Sequence, residues 1–346
     1  MLKTVLYGLW KDKFARIGLI ILGIIYFAIL FAPFIAPYSK DYSDRSLAYA
    51  PPSKIFTIDE HGHFSKPYTY NYIRKFDEQN FNIYNLDRSQ KHYLKFFSHG
   101  EDGKFHLVTV DKGGKLFLLG TDINGRDVFS RILFGGRISM TIGFLALFVL
   151  FPIGMIYGGI SGYFGGKIDT IMMRIAEGIM SIPSFYLLII LASILPAGMT
   201  SIQRFMLIVV ILALIGWAGF ARVVRGMVLS IKNQEYVQAA KSIGASNFRI
   251  ITRHILPQTT SFIIVAITLS IPSYILSESG LSFLGLGIQQ PDASWGNMLK
   301  EAQIFSNIIY RPWLLTPGFL IFLAVLSFNL VGDTVRDILD PKSKGE

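Results

Sequence analysis

The 346-residue sequence predicts an all-α polytopic membrane protein with about six transmembrane helices and one external insert containing some β structure. Three observations carry that prediction. Hydrophobic residues make up 51% of the chain and charged ones only 16%, whereas a soluble chain interleaves charge every few residues. The apolar residues come in blocks of about 20, the length of helix that crosses a bilayer core. Much of the basic excess, 33 Lys and Arg against 23 Asp and Glu, sits beside those blocks.

The first block, 17–36, follows Lys3, Lys11, Lys13 and Arg16 as the core of a secretory signal would. Its length, and Pro37 directly after Ala32-Pro-Phe-Ile-Ala36, identify it as a retained anchor. The later blocks are 140–162, 173–195, 205–221, 259–277 and 313–332. One side of this pattern collects Lys11, Lys13 and Arg16, then Lys167 and Arg174, then Arg222, Arg225, Lys232, Lys241, Arg249 and Arg253, then Arg336, Lys342 and Lys344. The positive-inside tendency makes that side the cytoplasm, with both termini there and the chain in the cell membrane.

Four regions follow: an N-terminal cytoplasmic segment with the first helix (1–36), an extracytoplasmic segment (37–139), a membrane core (140–333) containing a cytoplasmic loop (222–258), and a cytoplasmic tail (334–346). In the external segment, Phe105–Val110, the turn Asp111-Lys-Gly-Gly114 and Lys115–Leu119 predict a β-hairpin. Residues 40–100 show only short mixed elements.

The loop between spans four and five is the most telling stretch. Glu235–Ser242 are mostly good helix formers, Gly244 permits a turn, and Asn247–Leu256 can form a second helix before Pro257. Two short angled helices would then project from the membrane, with the small Ala239 and Ala240 on a face that a partner can approach. Before span two, Gly120-Thr-Asp122-Ile-Asn-Gly125-Arg126-Asp127 followed by Arg131 predicts a capped turn and charge pairs on a short interfacial helix, a structural lock on the external face. Gly154, Gly158, Gly162 and Gly166 recur every four residues and make a smooth stripe for close helix packing. Glu278, after span five, and Glu177, near the inner end of span three, are costly carboxylates at a membrane edge and candidates for the pathway or its gate.

Several chemistries are excluded. There is no cysteine, hence no disulfide, thiol nucleophile or cysteine metal site. No Gly-x-x-x-x-Gly-Lys-Ser/Thr phosphate loop and no nucleophile–base pair occurs. His61-Gly-His63 lacks a third close ligand, so no metal site is expected; neither is nucleic acid a partner.

Gln238, Ala239, Ala240, Gly244, Leu256 and Pro257 resemble, in register, the coupling loop of the membrane subunits of ABC importers. Gln238 replaces the usual Glu and His254 the usual Ile. The Gly120–Asp127 stretch, Glu278 with Leu281-Ser-Phe-Leu-Gly-Leu-Gly287, Leu9-Trp-Lys-Asp-Lys-Phe14 and Asp333–Pro341 resemble the C-type permease of oligopeptide, dipeptide and nickel importers. The external segment is longer than in a typical member.

This resemblance implies the type I importer permease fold and ATP-driven import, of oligopeptides or dipeptides first and of oligosaccharides or nickel and other metal chelates as the alternative. It implies a second, B-type permease, two ATPase subunits and an extracytoplasmic binding protein as partners, beside membrane lipid. Glu235, Gln238, Ala239, Ala240, Gly244, Arg249, Leu256 and Pro257 would couple to the ATPases. The chain would itself be no enzyme and bind no cofactor, with ATP and Mg held by the ATPase subunits.

Overall fold

A computed structural model describes residues 2–59, 62–76, 82–100, 102–196 and 198–339. The helices are α1 (Leu2–Lys11), α2 (Lys13–Leu30), α3 (Ala32–Ile35), α4 (Val128–Phe164), α5 (Gly166–Met180), α6 (Ser184–Ser193), α7 (Ser201–Ile231), α8 (Glu235–Ser242), α9 (Asn247–Arg249), α10 (Thr260–Phe283), α11 (Trp295–Leu299), α12 (Phe305–Tyr310) and α13 (Thr316–Leu339). Strands β1 (Phe56–Ile58), β2 (Phe64–Phe76), β3 (Asn82–His99) and β4 (Phe105–Val110) form one antiparallel sheet in sequence order. Among the described residues, five helical stretches are long and apolar enough to cross a membrane, and the bent pair α5–α6 gives a sixth where it counts as one span. The chain divides into two compact units, one of residues 1–22, 140–281 and 323–346, the other of residues 23–139 and 282–322.

In the first unit, glycines bring helices together. A Cβ at Gly154 would meet the Trp217 carbonyl at 3.2 Å, one at Gly158 the Val224 Cβ at 2.9 Å, and one at Gly162 the Arg225 carbonyl at 2.8 Å. The stripe therefore seats α4 directly on α7, as small residues do where no hydrophobic force separates helix from lipid. Gly166 does not continue it: the helix ends at Phe164, and a Cβ at Gly166 would face open space. Gly18 of α2 lies in the same way against the Ser327 carbonyl and Val331 of α13.

The fourth span runs ten residues past its predicted end, to Ile231, so that Arg222 and Arg225 stand on α7, and the sixth runs on to Leu339; three further differences bear on the site. The second begins at Val128, twelve residues early, because Asp127 caps it: Oδ2 accepts from the Ser130 amide at 2.7 Å and its hydroxyl at 2.6 Å. Arg131 thus stands on α4 itself, and no separate interfacial helix precedes it. The third span is broken by a 75° bend between α5 and α6, at Pro183, which has no N–H to continue the ladder. The fifth runs on to Phe283, so Glu278 lies within α10 and not beyond it.

The second unit holds the sheet and the connection 282–322. β2 and β3 form a long hairpin, Tyr68 opposite Tyr93 through Phe76 opposite Asn82, with an irregularity between Thr69 and Asn71. β2 and β3 are therefore longer than the short mixed elements expected between residues 40 and 100. The predicted 105–119 hairpin does not form. β4 pairs back onto β3, and the 115–117 amides are taken by side chains: Lys115 N donates to Asn71 Oδ1, Leu116 N to the Tyr38 hydroxyl and Phe117 N to Ser53 Oγ, all within 2.9 Å. Leu47, Ala50 and Phe117 form a small core under Tyr38, Tyr42, Tyr72 and Tyr84.

Candidate partner-docking segment

Between α7 and α10, in the first unit, the chain turns on Lys232. Its Nζ donates to the carbonyls of Gly162 and Tyr163, 2.9 and 3.4 Å away, a cation at the negative end of α4. α8 follows, with Glu235 in its first turn and Lys241 in its last, the order that complements the helix dipole. It closes with Gly244 at φ +82°, where Gly244 N donates to the Lys241 carbonyl at 3.0 Å and Ala245 N to the Ala240 carbonyl at 3.1 Å. This is a Schellman motif, and its left-handed residue favours glycine. Ser246 then caps α9, its Oγ accepting from the Arg249 amide at 3.4 Å.

The second helix is not short. From α9 the chain passes through a wide π turn, Ile250–Ile255, and a tight 3-10 turn, Leu256–Thr259, into α10. The wide turn makes room for Pro257, which does not end the helix. One side of this assembly is a core: Val237 and Ala240 of α8 pack with Ile250, Ile251, Ile255 and Leu256 and with Val224 and Val228 of α7. Tyr163 adds a tie, its hydroxyl donating to Asn247 Oδ1 at 2.9 Å.

The expected shared face of Ala239 and Ala240 is not found. A turn of 100° per residue separates them, leaving Ala239 exposed and Ala240 buried. Leu256 is also buried, whereas Glu235, Gln238, Gly244, Arg249 and Pro257 are exposed. Gln238 Nε2 donates to the Lys232 carbonyl at 3.0 Å, a bond that the glutamate usual at this position could not make.

Sequence reasoning missed the apolar side chains around the turn. Ile243 is 85% exposed, Phe248 78% and Tyr236 40%. Large apolar residues inside an otherwise polar segment were the available signal. It also missed the bidentate pair that Arg225 makes with Asp169, 2.5 Å at each contact, in which Ser161 joins by donating to Asp169 at 2.5 Å. Glu177 pairs with Arg174 at 3.1 Å and Arg222 at 3.6 Å, bracing α5 on α7. Glu278 is fully buried and accepts from the Ser279 hydroxyl at 3.5 Å. In the same unit a cavity of about 210 Å³ is lined by Ser184 and Phe185 of α6, Gly216 of α7, and Ser273, Tyr274 and Ser277 of α10.

The second unit carries a buried polar cluster at the start of α4. Asp122 accepts from the amides of Asn124 and Arg126 at 2.8 and 3.1 Å and from Arg126 Nε at 2.6 Å, while Arg131 Nε lies 3.5 Å away. The arginines therefore pair with Asp122, and Asp127 serves as the cap. Arg126 also donates to Gln290, and Glu301 accepts from the Ile123 amide at 3.0 Å. Gly125, at φ +68°, leaves no room for a side chain beside the Asp44 carbonyl, and Gly120 does the same at Ala50 and Trp313. Burial pushes the carboxyls of Asp127 and Glu301 up to about 7, with the Asp122 charge adding to Glu301. His63 lies in this unit, its amide bonded to Asp59 at 2.9 Å; His61 is outside the described residues, as are Lys342, Lys344 and the Asp340-Pro341 end of the terminal motif.

Residues 132–345 match the family described as binding-protein-dependent transport system inner membrane component, and residues 1–52 match the N-terminal TM domain of oligopeptide transport permease C. The chain is 48% identical over 225 residues to the dipeptide transport system permease protein DppC of Bacillus subtilis (strain 168), covering 64% of this chain and 68% of that protein. It is 41% identical over 252 residues to the oligopeptide transport system permease protein OppC of the same strain, covering 72% and 80%. To the glutathione transport system permease protein GsiD of Pectobacterium atrosepticum it is 42% identical over 227 residues, covering 65% and 72%. With a mostly helical multi-pass architecture and a match across more than half its length, the chain belongs to the family of binding-protein-dependent transport system inner membrane components.

Proposed function

We propose that this chain is the permease subunit of an ATP-driven peptide importer and forms half of its translocation pathway together with a second, B-type permease. The names of its relatives, dipeptide and oligopeptide permeases, support peptides as the substrate class. In this reading both termini and the 222–258 segment face the cytoplasm, 37–139 faces the binding protein, and ATP and Mg belong to two ATPase subunits.

The observation that carries the reading is the α8–Gly244–α9 segment. Its inner face is fixed to α7 by a buried core, while Tyr236, Ile243 and Phe248 stand exposed around a rigid turn. A push on such a surface moves the helices that follow it, because α9 runs on into α10. Glu278 and the hydroxyl-lined cavity beside Ser277 are the candidates for the pathway, and Glu177 for a brace.

Phe248→Asp tests the reading, since a charge at a buried apolar contact removes most of its binding energy. The variant is expected to insert normally and to lose the ATPase subunits on copurification, with peptide uptake falling at least tenfold. Full uptake and an intact complex would refute it.

A further inference from the structure

A second cavity, of about 170 Å³, lies in the second unit and is unrelated to the docking segment. Three of its lining residues are cations, Lys40, Arg131 and Arg137, against one carboxylate, Asp292. The remainder is mostly apolar and includes Phe134 and Ile138.

Its charges are unevenly matched. Lys40 Nζ meets Asp292 at 3.4 Å. Arg137 donates to the carbonyls of Ile29 and Leu30 at 3.1 and 3.3 Å, and its guanidinium lies 5.4 Å from the Phe134 ring centre. Arg131 is 3% exposed; its Nε lies 3.5 Å from Asp122 and its Nη1 donates to the Pro291 carbonyl at 3.1 Å, but its Nη2 has no acceptor among the described residues. A buried guanidinium N–H without an acceptor is costly, and an anion in the cavity would relieve it.

The sequence fixes the depth of this site. Residues 17–39 carry no charged side chain, and Lys40 is the first to follow. Residues 138–166 carry none either, and Arg137 is the last before them. Among the described residues between these runs, no helix long and apolar enough to cross a membrane lies before α4, which places both cations at the same boundary between hydrocarbon and water. Phe134 and Ile138, four residues apart on α4, share the face that continues toward the hydrocarbon.

We propose that this cavity holds the phosphate of an anionic phospholipid, with Lys40, Arg131 and Arg137 as donors and Phe134 and Ile138 against the acyl chain. Free phosphate offers the same oxygens without the chain, and the apolar wall favours the lipid.

The test uses the full chain purified in mild detergent with whatever subunits accompany it. After delipidation it is titrated with phosphatidylglycerol, phosphatidylcholine or inorganic phosphate, and binding is read by native mass spectrometry and by unfolding temperature. Phosphatidylglycerol alone is expected to bind as a discrete adduct and to raise the unfolding temperature. Lys40→Gln, at an exposed position, should weaken that binding ~5-fold, as should Arg137→Gln, while Arg137→Lys should retain it. Equal binding of phosphatidylcholine, an equal effect of inorganic phosphate, or unchanged binding in the double Lys40→Gln, Arg137→Gln variant would overturn the proposal.

Discussion

Asp127 and Glu301 are carboxylic acids made useful by being kept from water. Each is held up to about 7, chiefly by burial, while in an unfolded chain each would ionise near its ordinary value of about 4. Between those values the folded state binds more protons than the unfolded one, so stability falls as pH rises toward 7 and levels off above it. The unfolding temperature of the purified chain should therefore be higher at pH 5.5 than at pH 7.5, by roughly 1–3 kcal/mol in stability. Glu301→Gln should flatten part of that slope, as thermal melts across the pH series would reveal; an unchanged slope would mean that Glu301 is ionised in the fold. Asp122 and Gly125 were legible as a turn because an aspartate oxygen acts on amides within four residues, but the expected pairing of Asp127 with Arg126 and Arg131 does not form: both arginines meet Asp122 instead. Glu301 was not legible, because its partner Ile123 lies 178 residues away.

For the elements, the consequential contact is the glycine seam of α4 on α7. Gly158→Leu would drive a side chain into Val224 and the backbone at Arg225, a clash that rotamers cannot relieve. We expect a loss of about 3 kcal/mol or more and little monodisperse protein by size-exclusion chromatography. Gly226→Ala, at a position with open space around it, is the control and should purify as the parent does. The helices were legible because lipid demands long uncharged runs, and the sequence shows them directly. The sheet was harder to see. β3 keeps only His92 fully buried along eighteen residues, so no two-residue alternation advertises it. Nor do the bounds of the docking helices follow from propensity, since the core formed by Val237, Ala240 and Leu256 decides which faces turn inward.

For the molecule as a whole, the sheet is the part whose removal we expect the chain to survive, although Tyr72 and Tyr84 tie it to Pro52 and Ala48. Ser53 N donates to the Phe117 carbonyl at 2.8 Å and Phe117 N to Ser53 Oγ at 2.9 Å, so the chain enters and leaves the sheet at one point. Residues 53–131 also lie between the two matched family regions. Replacing 54–116 by two glycines should leave a chain that still inserts and purifies, with uptake reduced if the sheet serves the binding protein. Loss of the folded chain would instead assign the sheet to the structural frame, and uptake and yield measured together separate these outcomes. The external length was legible in the sequence, but its closure at Ser53 and Phe117 was not, because a hydroxyl–amide clasp has no periodic signature.

The bend at Pro183 bears on how water is admitted. α6 has ten residues and so rises about 15 Å, half of a hydrocarbon core about 30 Å thick. When α5 and α6 cross as one span, the break falls near mid-depth. At the break the carbonyls of Glu177 and Gly178 are met by the Ser181 amide at 2.9 Å and its hydroxyl at 2.7 Å, whereas the first amides of α6, at Ser184 and Phe185, have no carbonyl one turn before them in the helix. Hydrocarbon cannot solvate them, so the break must face a wet or proteinaceous surface. Ser184, the first residue after it, opens onto the hydroxyls of Ser273, Tyr274 and Ser277. Where water enters the bilayer interior along this chain, the break at Pro183 beside those hydroxyls is where the backbone can receive it.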